Sequence, residues 1–255
     1  MAYFSKIIKF ILDILFPISC LSCGQGEDWL CNSCYKKIQL VSFQVCPYCE
    51  SESADSGRIC QRCKQKFLSK NNAWPIDSLL VSARYKENQL SKLIHTFKYN
   101  FVEDLRVPLG KLATEAILKN NFSLPDLIIP VPLHSRRLRW RGFNQSELLA
   151  KYIGENLTPG FNIPVASNLL VRQKYTPPQM KVENYQERME NMSDAFIWAS
   201  HVPTSGPANL SGKSVLLIDD ICTTGATLFE CGKVLKQNGA KKVFAAVIAR
   251  QEIKK

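Results

Sequence analysis

Toward the end of the chain four aliphatic residues, Val215, Leu216, Leu217 and Ile218, run straight into two acids, Asp219 and Asp220. Ile221 and Cys222 follow, and then Thr223, Thr224, Gly225, Ala226 and Thr227. Consecutive aliphatics mark a strand buried on both faces, so the two carboxylates emerge at its tip. Buried and unpaired they would be costly; they are expected to face an open cleft and accept hydrogen bonds there. The vicinal hydroxyls of a ribose are suitable donors. The turn at residues 223–227 combines backbone N–H groups, three hydroxyls and a helix N-terminus, a cradle suited to a phosphate monoester. A diol seat beside a phosphate seat describes a ribose 5-phosphate. The plainer alternative is a turn residue at Asp219 and a helix cap at Thr224. A Walker A loop is excluded, because its lysine is absent and the acids would repel terminal phosphates. A dinucleotide fingerprint fails for want of its glycines.

A second cluster follows the apolar run 127–131: Arg136, Arg137, Arg139 and Arg141, four arginines within six positions. A loop after a strand and before a helix would carry them to the same sheet edge as the acids, where they would attract a pyrophosphate or a nucleic-acid backbone. A solvated basic loop is the alternative. His134 is either a general base or a surface hydrogen-bonding group. Trp140 and Phe143 offer rings on which bases could stack.

Eight of the ten cysteines form four CxxC pairs, Cys20/Cys23, Cys31/Cys34, Cys46/Cys49 and Cys60/Cys63. Two such turns facing each other supply four thiolates in a tetrahedron, so two structural Zn²⁺ sites are expected. The simplest pairing follows the chain, with the first four cysteines on one ion and the last four on the other; a cross-braced pairing is the alternative. Segments this short cannot fold on apolar burial, so the metal supplies the folding free energy. The remaining two cysteines are read as helix packing (Cys231) and as a small loop residue near the ligand (Cys222).

These groups need a scaffold. Residues 79–83, 127–131, 215–218 and 243–248 read as strands; 90–97, 105–118, 145–155 and 228–237 read as helices. Strands alternating with helices imply an α/β fold, a parallel sheet flanked by helices, with ligands at the carboxyl ends of the strands. Residues 64–72 read as a linker, residues 172–192 as a mobile loop whose Arg172, Lys174, Lys181 and Arg188 either meet phosphates or have no role, and residues 201–210 as a connection. The domains expected are an amphipathic helix at 1–18, a double zinc ribbon at 19–70 and the α/β domain at 75–255.

With 255 residues and 45% hydrophobic positions the chain can bury a sizeable core, which excludes a disordered or fibrous protein. The apolar stretch 7–18 is interrupted by Lys9 and Asp13 and falls short of the roughly 20 residues of a membrane span. Its helix either docks on the protein body or lies on a membrane surface or partner. The formal charge of +11 suits a polyanionic ligand. Two four-thiolate zinc sites would lower it to roughly +7.

The segment 215–227 closely resembles the phosphoribosyl pyrophosphate motif of type I phosphoribosyltransferases. That resemblance implies that Asp219 and Asp220 hold the ribose hydroxyls, and that Thr223, Thr224, Gly225, Ala226 and Thr227 hold the 5-phosphate. The string Arg141-Gly142-Phe143-Asn144-Gln145, the CxxC pairs, Phe97-Lys98-Tyr99 and the spacing of Arg172, Thr176, Gln179, Arg188 and Asn191 make nearly the whole chain resemble the ComF family, which includes the GntX-like proteins. The family implies a phosphoribosyltransferase-like domain behind a double zinc ribbon. It also implies a role in natural competence on the cytoplasmic side, peripheral to the inner membrane if the first helix touches it. The partners so implied are single-stranded DNA, phosphoribosyl pyrophosphate with Mg²⁺, and proteins of the DNA-uptake machinery. Transfer of a phosphoribosyl group to an acceptor is the alternative activity.

Overall fold

The structure, a computed structural model, describes residues 18–51, 56–85, 88–120, 123–176, 185–199 and 210–251. Residues 1–17 of the helix expected at 1–18 lie outside them, as do Gln179, Lys181 and most of the connection 201–210.

The strands are β1 (Ser78–Arg84), β2 (Leu127–Pro130), β3 (Leu170–Arg172), β4 (Phe196–Trp198), β5 (Ser214–Cys222) and β6 (Lys242–Arg250). The helices are α1 (Asn32–Tyr35), α2 (Gln61–Leu68), α3 (Asn88–Tyr99), α4 (Arg106–Lys119), α5 (Ser135–Arg141), α6 (Gln145–Asn156), α7 (Tyr185–Met192) and α8 (Ala226–Gln237). Four strands form a parallel sheet in the order β1-β6-β5-β2, and β3 pairs antiparallel with β4.

Successive residues of a strand point to opposite faces, and β5 shows why its aliphatics must be continuous. Leu216 and Ile218 enter a core built with α3, α4 and α6, while Val215 and Leu217 enter a second core built with α8 and the β3–β4 hairpin. A polar residue at either register would be stranded in apolar surroundings. Beyond Ile218, whose Cα partner on β2 is Pro130, the neighbouring strand ends and the chain reaches the cleft.

The cysteine-rich segment covers the free edge of β1. Gln44 donates from Nε2 to the Val81 carbonyl (3.0 Å) and accepts from the Val81 N–H (2.9 Å), and Val41 donates to the Ser82 carbonyl (2.9 Å). Leu79 donates to the Gly57 carbonyl (3.0 Å). An exposed strand edge is a template for aggregation, and here the ribbon blocks it.

Two expectations are corrected. Residues 64–68 are not linker but the end of α2, held because Phe67 packs on the ring of Tyr48. Residues 172–192 are not one loop. Arg172 ends β3 and is only 9% exposed, and residues 185–192 form α7, whose Met192 is buried. Arg188 lies on that helix. Among the described residues no helix is long and apolar enough to cross a membrane.

Candidate functional site

A cavity of about 430 Å³ opens at the carboxyl ends of β5 and β2. Asp219 and Asp220 reach it from β5, and Thr223 and Thr227 from the turn that follows. Ser146 on α6 donates from Oγ to Asp219 Oδ1 (2.9 Å), as does the Asp220 N–H (2.9 Å). Asp220 Oδ1 accepts from the Ile221 N–H (2.7 Å) and is 2.9 Å from Lys98 Nζ. Asp220 is therefore in an internal ion pair, not free as the sequence implies.

Burial, and next the neighbouring Asp220 charge, push the Asp219 carboxyl up to about 7; the Lys98 ammonium opposes the shift. A raised folded-state pKa means that the folded chain holds this proton where the unfolded chain, with its ordinary value of 3.8, has released it. The stabilisation is full below the unfolded value and is lost as pH climbs from there through about 7. The thermal midpoint is expected to decline over that window in the wild type and to decline less in Asp219→Asn. Parallel declines in the two proteins would contradict this account of Asp219.

The turn at residues 223–227 bends because Gly225 adopts φ +84°, a left-handed conformation that L side chains rarely take, and caps α8. Thr224 is buried, and its Oγ1 accepts from the Ala226 N–H (3.3 Å). Thr224 and the buried Ala226 thus shape the turn, while Thr223 and Thr227 face the cavity.

The arginines sit on α5, not in a loop. His134 caps this helix, its Nδ1 accepting from the Arg136 N–H (3.2 Å), which gives that nitrogen a structural task in place of a general base's. Gly142 ends the helix at φ +76°. Phe143 then drops into the core against Phe97 (ring centroids 5.8 Å apart), and Asn144 caps α6. Gln145 accepts from Arg141 Nη1 (3.0 Å) and donates to the Phe97 carbonyl (3.4 Å). Residues 141–145 are therefore a helix-to-helix corner that fixes Arg141 against α3. With 9% exposure Phe143 cannot stack on a base. Trp140 can: it is 59% exposed and stands beside Tyr99 and Phe101.

Arg136, Arg137 and Arg141 line the cavity; Arg139 does not. Helical periodicity turns it away, which a loop assignment hides. Lys98 and Arg172 join them, so five cationic side chains face two acids. Arg137 donates from Nη2 to the Thr176 carbonyl (2.8 Å), and Arg172 from Nη2 to Thr176 Oγ1 (2.6 Å). Burial lowers both guanidinium pKa values, with another arginine as the second cause in each case. A ligand anion would relieve that crowding. Sequence reasoning assigns no role to Lys98 or Ser146; the one signal for Lys98 is its place between Phe97 and Tyr99.

The cysteines form two tetrads in chain order, Cys20, Cys23, Cys31 and Cys34, and Cys46, Cys49, Cys60 and Cys63, with the four Sγ atoms of each within 4.8 Å of one another. Tetrahedral zinc with Zn–S of about 2.3 Å requires sulfurs about 3.8 Å apart. Cys23 and Cys31 are 3.7 Å apart, and Cys49 and Cys60 3.6 Å. The same bond recurs in each tetrad, from the Cys31 N–H to Cys20 Sγ and from the Cys60 N–H to Cys46 Sγ (3.4 Å each). The donor set fits structural Zn²⁺.

Residues 151–255 match the phosphoribosyl transferase domain family and residues 11–64 the double zinc ribbon domain. The chain is 30% identical over 243 residues to "Competence protein F" of Haemophilus influenzae, covering 92% of this chain and 98% of that protein. It is 31% identical over 219 residues to "DNA utilization protein YhgH" of Salmonella typhimurium (84% and 87% covered), and 24% identical over 229 residues to "Competence protein ComFC" of Bacillus subtilis (84% and 80%). Among solved structures, a purine phosphoribosyltransferase of Pyrococcus horikoshii aligns with 57% of this chain and 83% of its own, at 18% identity and a TM-score of 0.33.

Proposed function

The chain belongs to the competence protein F family, and from that premise we propose that it acts in natural transformation, binding incoming single-stranded DNA on the cytoplasmic side while its cleft holds phosphoribosyl pyrophosphate. The relatives' names, competence and DNA utilization, support the cellular role. The observation that carries the ligand is the convergence of two acids, a hydroxyl-bearing turn and five cations on one cavity of about 430 Å³. In this reading Asp219 and Asp220 accept from the ribose 2- and 3-hydroxyls, residues 223–227 hold the 5-phosphate at the N-terminus of α8, and Arg137, Arg141 and Arg172 hold the pyrophosphate. Lys98 is freed from Asp220 as the hydroxyls arrive. Mg²⁺ bound to the pyrophosphate would neutralise part of its charge.

The exposed side of α5 at the cavity mouth, with Trp140 beside Tyr99 and Phe101, is the proposed DNA rim; the backbone meets Arg136 and Arg139 and a base stacks on Trp140. For about two neutralised phosphates, one for each of these arginines, the logarithm of single-strand affinity should fall with log salt at a slope of roughly −1.4. Binding indifferent to salt would refute the basic rim. Contact with uptake-machinery proteins, or with the inner membrane through residues 1–16, belongs to the same proposal.

Turnover is the second reading, favoured by the pair of acids at the sugar seat. A nucleophile would displace pyrophosphate at the anomeric carbon, and the chain's part would be to orient the sugar and to stabilise the departing charge through its arginines. Incubation with phosphoribosyl pyrophosphate and candidate acceptors, followed by assay of released pyrophosphate, tests it. No release above the Asp219→Ala/Asp220→Ala control would leave a binding protein.

A further inference from the structure

We propose that Tyr48 and Phe229 are positioning residues for the phosphate turn, so that the second zinc ribbon, and not the first, sets the cleft's affinity for a sugar 5-phosphate. The inference rests on the ribose-phosphate reading of the cleft.

Tyr48 lies between Cys46 and Cys49 of the second tetrad. One face of its ring stacks on Phe229, with centroids 4.9 Å apart and planes at 10°; Phe67 of α2 meets it at 4.9 Å and 67°. Its hydroxyl is clasped by both backbone groups of one residue, donating to the Ile76 carbonyl (3.0 Å) and accepting from the Ile76 N–H (2.9 Å). A ring held on both sides and at its tip has little freedom to move.

Phe229 passes that constraint to the turn. It sits one helical turn after Gly225 and is 8% exposed, and a Cβ placed on Gly225 would come within 2.8 Å of its ring carbons Cε2 and Cζ. The Gly225 backbone therefore lies against the ring. A glycine at positive φ has no side chain to select one conformation, and here the ring stands in for that selection. One turn further, Gly232 packs on the Pro75 carbonyl, beside the Ile76 that Tyr48 clasps. The start of α8 is thus indexed to the second ribbon through Tyr48 and, one turn on, to the Pro75–Ile76 segment that Tyr48 holds. The first ribbon lacks this route: Cys20 and Cys34 belong to the core on the opposite face of the sheet, away from Phe229.

Ribose 5-phosphate and inorganic pyrophosphate separate the two ends of the cleft, because the first needs the turn and the second the arginines. Calorimetric titration of zinc-loaded wild type, Tyr48→Leu, Phe229→Leu, the double variant Tyr48→Leu/Phe229→Leu and Tyr48→Phe is the test. Losing the stack should weaken ribose 5-phosphate roughly fivefold to tenfold in Tyr48→Leu and Phe229→Leu. Pyrophosphate should change by less than about twofold, and the double variant should lose no more than the worse single one. Tyr48→Phe keeps the stack and should keep most of the affinity. Equal losses for both ligands would mean general destabilisation and overturn the proposal, as would unchanged ribose 5-phosphate binding in both leucine variants. A wild type that binds no ribose 5-phosphate would instead remove the reading of the cleft on which the strut depends.

Discussion

Asp219→Ala/Asp220→Ala is expected to lose phosphoribosyl pyrophosphate binding by about 100-fold or more while retaining single-stranded DNA affinity within about twofold. Each carboxylate would give up a charge-assisted hydrogen bond to a sugar hydroxyl, worth about 1.5–3 kcal/mol, and two such losses compound to that factor. DNA affinity should persist because the proposed contacts are on α5, not on the acid pair: Arg139 lies outside the cavity, and Trp140, at its mouth, is 59% exposed. Folding should survive as well. The substitution removes two adjacent carboxyl groups, one of them with its pKa pushed up to about 7 by burial, at the expense of the Lys98–Asp220 pair. Calorimetry with the sugar phosphate and fluorescence anisotropy with labelled DNA measure the two affinities. Equal loss of both would place DNA in the sugar seat and end the separation of cleft and rim.

The second large effect is expected from the metal. Protein purified without oxygen should carry two zinc ions per chain, one per tetrad, and a strong chelator should release them with collapse of the ribbon. Structural zinc contributes on the order of 10 kcal/mol in isolated fingers at neutral pH, far more than the small apolar cluster around Cys46, Ile59 and Cys63 can supply. The damage should spread, because Gln44, Val41 and Gly57 bond the edge strand β1. Stripping them exposes backbone groups to other chains, so the metal-free protein should aggregate on warming. Zinc analysis with light scattering tests this; a metal-free chain with an unaltered thermal midpoint would contradict a structural role for the tetrads.

The features legible in the amino-acid order are those written over a few adjacent residues. The strand of residues 215–218, the acids at its end and the hydroxyl-rich turn lie in one unbroken run, so a local pattern discloses them. Four CxxC pairs announce metal sites in the same way, and chain-order pairing is the simplest of the arrangements they allow. Helical and strand periodicities place α3, α4, α6, α8 and the four parallel strands because each is long enough to repeat its pattern. The arginines are evident as a cluster but not as a helix. A seven-residue helix next to prolines has too few turns to show a period, so local reading leaves Arg139 among the other arginines and Phe143 on the surface, whereas the fold turns Arg139 out of the cavity and buries Phe143.

What stays hidden depends on partners distant in the chain. Lys98 and Asp220 meet across 122 positions, Ser146 and Asp219 across 73, and Tyr48 and Phe229 across 181. No spacing rule encodes such pairs, since they form only when sheet order and helix packing bring their elements together. By itself the order of residues determined what kinds of chemistry the chain carries: an acid pair before a hydroxyl-rich turn, a basic cluster and two thiolate cages. The folded molecule decided which groups share a cavity, that one acid is already paired with a lysine, and that a ribbon braces the sheet's open edge. The reason is physical: intrinsic preference acts between near neighbours, whereas charge pairing and close packing act through space.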